Sequence, residues 1–150
     1  MTACQLNSSL SQAGSIPFSF QRSSPAKIDR LRAAAERLRP FWEAPSGDLR
    51  PLHGDVHPGN LIATRDGPVW IDFEEACRGP VEWDLALLSW SDADAVAAHH
   101  RPDPELLTRC SDLRALHLAL CLIAFRDDFG DLDGWDQSIR GFLTAITPTP

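Results

Sequence analysis

Lysine is almost missing from this sequence. One, Lys27, stands among fourteen basic residues in 150, so any chemistry that needs a lysine ammonium rests on that side chain. The four cysteines, Cys4, Cys77, Cys110 and Cys121, form no CxxC and no paired spacing, which argues against a zinc or disulfide framework and for free thiols in a reducing compartment. Long apolar runs are missing too. The longest, "LALCLIAF" at 118–125, falls well short of the roughly 20 residues that a membrane span takes. The opening "MTACQLNSSLSQAGS" has no basic n-region and no apolar h-region, as a signal peptide would. A cytoplasmic protein without a membrane partner is expected.

Positive charge is scarce where a polyanion would need it. Residues 1–50 carry seven Arg/Lys against four Asp/Glu, a balance of +3, and residues 51–150 carry seven against seventeen, a balance of −10. A nucleic-acid surface wants the opposite sign, so nucleic acid is not expected as a partner. An acidic half is compatible with a cationic small molecule, or serves solubility alone. Hydrophobic residues at 43% and charged residues at 23% are ordinary globular values and exclude a disordered chain.

What is present divides into a tail, a domain and a second tail. Residues 1–26, rich in Ser, Gln and Asn with no clear period, read as a loose N-terminal tail. The domain is expected over 27–146, followed by a Thr-Pro tail at 147–150. Ile28, Leu31, Ala35 and Leu38 recur at helical spacing after Ser24-Pro25, a cap and first position, which predicts a helix from Lys27 to Phe41. Residues 84–98, 104–110, 112–129 and 135–146 read as four more helices, the third central because its apolar face is so broad.

Between the first helix and the rest lies "HGDVHPGN", residues 53–60. Gly54, Pro58 and Gly59 break regular structure, while His53, Asp55, His57 and Asn60 are side chains that catalytic and metal sites use. "LIATRDGPVWID" (61–72) follows as two short β-prone runs around Arg65-Asp66-Gly67, predicting a hairpin with a three-residue loop. That register pairs Thr64 with Pro68, Leu61 with Ile71 and Asn60 with Asp72. An amide and a carboxylate side by side, with Asp55 close by, make a hard-oxygen site of the kind that Mg²⁺ and substrate phosphates occupy. Asp55 is then free to orient a hydroxyl and accept its proton, and position matters more than basicity in a loose phosphoryl-transfer transition state. Blander readings stand beside this one. Asp55 and Asn60 could be turn residues, Asp84 a helix N-cap, and Glu74 and Glu75 solvated turn carboxylates. A zinc hydrolase using His53, Asp55 and His57 is a third reading, weakened because Gly54 and Pro58 spoil the strand that their spacing would suit.

"HGDVHPGN", then "WIDFE", then "GPVEWDLA" resemble the aminoglycoside phosphotransferase and choline kinase-like family, relatives of the protein kinases. H-G-D-x-H-x-x-N stands where protein kinases carry H-R-D-x-x-x-x-N, and I-D-F-E where they carry D-F-G. The resemblance implies an α+β fold: a protein-kinase-like C-terminal lobe, mostly α-helical, with a catalytic loop and a short β-hairpin. It implies Asp55 as catalytic base, Asn60 and Asp72 as Mg²⁺ ligands that also bind the cofactor ATP, and a small-molecule hydroxyl as acceptor. It further implies His53 as a structural member of the loop and Asp84 as a buried residue that holds the loop by hydrogen bonds.

The family also carries an N-terminal β-lobe with a phosphate-covering loop and a lysine paired with a glutamate. Residues 1–52 contain no Gly-rich loop and no "VAIK"-like strand, and Lys27 opens a helix. The N-lobe is therefore expected to be absent, with weak or no turnover by this polypeptide alone. Two forms follow: a phosphotransferase completed by a separate N-lobe polypeptide or upstream reading frame, or a non-catalytic remnant that binds a ligand or protein.

Overall fold

The structure, a computed structural model, describes residues 24–45, 47–129 and 134–146, with the backbone alone over 125–129. The expected tails fall almost wholly outside these residues.

Helix α1 spans Pro25–Glu43, with proline in its first turn as the Ser24-Pro25 pair predicts. Its buried residues are Leu31, Ala34 and Leu38, one stripe at helical spacing. Pro40 lies inside the helix near its end, where one missing N–H is tolerated, and Ala44 N–H closes the turn on the Pro40 carbonyl at 3.1 Å.

Four short strands follow. β1 (Arg50–Leu52) pairs antiparallel with β4 (Cys77–Gly79), and β2 (Leu61–Thr64) pairs antiparallel with β3 (Gly67–Trp70). The β1–β4 ladder is absent from the sequence reading, since three-residue strands containing Pro51 or ending in Gly79 give no period to detect. It ties together the two ends of the segment that carries every candidate site residue except Asp84.

Among the described residues three helices follow: α2 (Glu82–His100), α3 (Pro104–Phe129) and α4 (Trp135–Ala145). The expected break near Ser111 does not occur. No glycine or proline interrupts the run after Pro104, and Asp112, read as a helix start, is buried and accepts a hydrogen bond from Arg37 of α1 at 3.2 Å. A break does occur in α2, at Asp92 (φ −154°, ψ 84°). There the carboxylate accepts Ala95 N–H at 2.9 Å and restarts the helix.

Helix α3 is the axle of the fold, packing against α1, α2 and α4. Its Cys110, Leu113, Leu116, Ala119 and Ile123 are essentially inaccessible and meet Leu31 and Leu38 of α1, Trp83 of α2 and Ile139 of α4. Burial pushes the Cys110 thiol up to about 12. Lys27 pairs with Asp136 at 3.0 Å, so the one lysine of the chain joins α1 to α4. Cys110 and Cys121 are free thiols; Cys77 is disulfide-bonded, which corrects the expectation of free cysteines. Among the described residues no helix is long and apolar enough to cross a membrane.

Candidate active site

The loop after β1 is held at many of its backbone polar atoms. Asp84, in the first turn of α2, accepts His53 N–H through Oδ2 and Gly54 N–H through Oδ1, both at 3.0 Å. The helix cap position belongs to Val81, so Asp84 is not the N-cap. Asp55 N–H donates to His53 Nδ1 at 3.3 Å, and Asn60 Nδ2 donates to the Asp55 carbonyl at 2.9 Å. The Gly54 carbonyl accepts from Arg114 of α3.

These bonds fix the state of the His53 ring. Nδ1 accepts the Asp55 amide, so Nε2 carries the proton and donates to the Ile71 carbonyl at 2.8 Å. The ring is wedged between Trp70 (5.5 Å between centroids) and Phe73 (4.4 Å). Both nitrogens are occupied, which removes His53 from any metal. Among the described residues no three His, Cys, Asp or Glu side chains are grouped to hold one, and the zinc reading loses its ligand set.

Gly54 is required by its surroundings. Its φ is +90°, and a Cβ there would sit 2.0 Å from the Glu75 carbonyl oxygen. The loop therefore presses backbone to backbone against Glu75, three residues after Asp72.

The hairpin register differs by one from the sequence expectation. Leu61 pairs with Trp70 and Thr64 with Gly67, around a two-residue turn at Arg65-Asp66. The cause is Thr64, whose hydroxyl donates to the Gly67 carbonyl at 2.6 Å and accepts Asp66 N–H at 3.2 Å, closing the turn early. Asn60 consequently lies opposite Ile71, whose N–H donates to the Asn60 carbonyl at 3.0 Å. Asp72 follows one residue later at φ +63°, a left-handed conformation that aspartate tolerates better than most residues. The expected side-by-side pairing of Asn60 and Asp72 is replaced by this offset.

Asn60 is buried at 7% exposure in the turn Pro58–Asn60. Its amide nitrogen donates to the carbonyl of Asp55 and also to its Oδ2, at 3.1 Å. That assigns the amide orientation and leaves Oδ1 without a protein donor among the described residues. Asp72 is exposed and has no ion pair among them. An amide oxygen and a carboxylate are hard donors of the type Mg²⁺ takes with phosphate oxygens and water. The second oxygen of interest, Asp55 Oδ2, also lies 3.3 Å from His57 Nε2, while His57 Nδ1 accepts Gly59 N–H at 3.0 Å.

Behind the loop stands Arg114, which the sequence reading did not single out. It is 4% exposed. Nε donates to the Trp83 carbonyl at 3.3 Å, the guanidinium lies 3.8 Å over the Trp83 ring, and Nη2 stands 3.8 Å from Asp84 Oδ1. Burial brings it down to about 10 despite Asp84, Asp55 and Glu75. The signal for it was an arginine in an otherwise apolar helix face, where a charge needs partners. His117, one turn further along α3, is held below its ordinary value by burial and then by Arg114, while Asp55 pulls it up. Burial raises the Glu75 carboxyl, with Arg114 opposing.

Asp55 and Asn60 are thus held side by side, with Asp72 at the end of the adjoining hairpin. The sequence profile described as the phosphotransferase enzyme family matches residues 10–109. The chain belongs to that family. Its architecture is similar to the crystal structure of choline kinase LicA from Streptococcus pneumoniae, with a TM-score of 0.66 at 19% identity over 83% of this chain and 50% of that one. Stress response kinase A of Escherichia coli (strain K12) is 37% identical over 73 residues, 49% of this chain and 21% of that protein. A serine/threonine protein kinase, RdoA of Salmonella typhimurium, is 45% identical over 47 residues, 31% of this chain and 14% of that protein. The chain thus corresponds to a part of each relative, and in this phosphotransferase family member that part has the fold of a kinase-like C-lobe.

Proposed function

We propose that this chain carries the base and metal half of an ATP-dependent phosphotransferase acting on a small-molecule hydroxyl. Asp55 orients the acceptor hydroxyl and takes its proton as the γ-phosphoryl group transfers. Asn60 Oδ1 and Asp72 hold Mg²⁺, which would neutralise charge on the transferring phosphate. The observation that carries this reading is the double hydrogen bond from Asn60 Nδ2 to Asp55. It locks the base and, in one arrangement, leaves the amide oxygen without a protein donor among the described residues. His53 and Asp84 hold the loop on which both depend. The acidic half of the sequence, at −10, favours an acceptor that carries positive charge.

The phosphate clamp is assigned to a β-rich lobe, on the same or a separate polypeptide, lying over the hairpin. Leu61, Ile62, Val69, Ile71 and Phe73 are exposed there, which suits an apolar contact with such a lobe and also suits the alternative, a binding module without turnover. Mg²⁺-dependent ATP binding, followed calorimetrically, tests the site. Asp72→Asn is expected to abolish it while the thermal transition stays in place; unchanged binding refutes the metal assignment. Asp55→Ala separates the alternatives, since a binding module keeps its cellular role when that carboxylate is removed.

A further inference from the structure

The peptide before Asp55 is gripped from two sides by different elements. Its neighbour N–H groups, at His53 and Gly54, end on Asp84 of α2. Its own carbonyl, that of Gly54, ends on Arg114 of α3, and the same guanidinium donates to the Trp83 carbonyl in α2. Arg114 thus joins the catalytic loop, the start of α2 and the central helix through one planar group.

No other common side chain does this. The planar guanidinium offers donors in a fixed fork, so Nε and Nη2 can serve two carbonyls at once while the face rests on Trp83. A lysine has its donors on a single nitrogen and no plane to stack. Burying a cation is costly unless it is paired and hydrogen-bonded; here two carbonyls accept from the guanidinium, a carboxylate stands 3.8 Å away and an aromatic face lies against it. A core needing only volume at this position would have used leucine.

We propose that Arg114 is a positioning residue: by pinning the Gly54 carbonyl it sets the orientation of the peptide that aims the Asp55 carboxylate. It does not touch substrate. Its purpose rests on the phosphotransfer reading, but its geometry does not, and neither does the test below.

Amide hydrogen exchange on the full chain reads the loop directly. In Arg114→Lys the charge near Asp84 remains while the fork is lost. The His53 and Gly54 amides are expected to lose protection by about 10- to 100-fold, the factor that a charge-assisted hydrogen bond represents, with α1 and α4 keeping theirs. In Arg114→Ala, guanidinium ion at sub-denaturing concentration is expected to restore protection at those two amides. Unchanged exchange at His53 and Gly54 overturns the proposal. So does an equal loss across all helices, which marks Arg114 as core packing, and so does loop exposure that guanidinium leaves unrescued in a folded variant. Because the readout uses neither nucleotide nor metal, failed nucleotide binding and failed loop positioning are told apart.

Discussion

Asparagine in place of Asp84 is the substitution that most sharply tests how the loop is held. The carboxylate uses one oxygen for His53 N–H and the other for Gly54 N–H, each at 3.0 Å, with the side chain 14% exposed. An amide keeps a single oxygen. Whichever way it turns, one loop N–H faces an NH₂ group and is left without an acceptor. The lost charge-assisted bond is worth about 1.5–3 kcal/mol, and stranding a buried donor costs about 1–3 kcal/mol. Arg114 also loses the nearby carboxylate that compensates it. A total of about 3–5 kcal/mol matches what removing one partner from a buried charged pair costs. At about 2–4 °C per kcal/mol for a domain of this size, the melting temperature should fall on the order of 10 °C. Circular-dichroism melts and urea titrations at neutral pH measure this. A helix N-cap accepts asparagine as readily as aspartate, so an Asp84 that merely capped α2 would show almost no change. A loss below about 0.5 kcal/mol, the range of an inert surface substitution, refutes the reasoning.

Two further outcomes follow from the same geometry. Gly54→Ala places a methyl group 2.0 Å from the Glu75 carbonyl oxygen at a φ of +90°, so a loss on the order of 3 kcal/mol or more is expected from clash and strain together, and a variant melting like the parent overturns the contact. His117, its Nδ1 buried with no hydrogen-bond partner among the described residues, is held below its ordinary 6.5 by burial first. Between its folded value and 6.5 the unfolded chain binds more protons, so stability rises with pH there and is lost as pH falls. The upward shift of Glu75 acts in the opposite sense above its ordinary 4.5. Thermal melts of His117→Leu from pH 7 to pH 5 should therefore show a smaller loss than the parent, and parallel profiles count against the assignment.

The parts of the fold legible in sequence are those whose signals are local. Pro25 and the Leu31–Leu38 stripe announce α1, and "HGDVHPGN" announces a loop because its two glycines and its proline disfavour a long helix or strand. The hairpin is legible but its register is not, because it turns on whether the Thr64 hydroxyl bonds across two residues or leaves a third in the turn. Pairing of β1 with β4 depends on residues 25 to 29 positions apart and on backbone alone. What Arg114 binds was hidden for the same reason. Its partners are carbonyl groups 60 and 31 residues away, and every residue type supplies a carbonyl. Side-chain chemistry can be read along a chain; backbone partners cannot be read until the chain has folded.

The hairpin has one more consequence, for handling the protein. Ile62 and Val69 pair directly across the ladder, and each is 48% exposed. Among the described residues the ladder is two strands wide, so its edges present backbone groups with no strand partner there, beside an oily surface. That combination is a template for strand addition between molecules, and a preparation of the isolated chain will tend to stick to itself through this point first. Charged residues at Ile62 and Val69 would act as gatekeepers there, keeping concentrated samples in solution without touching the loop behind them.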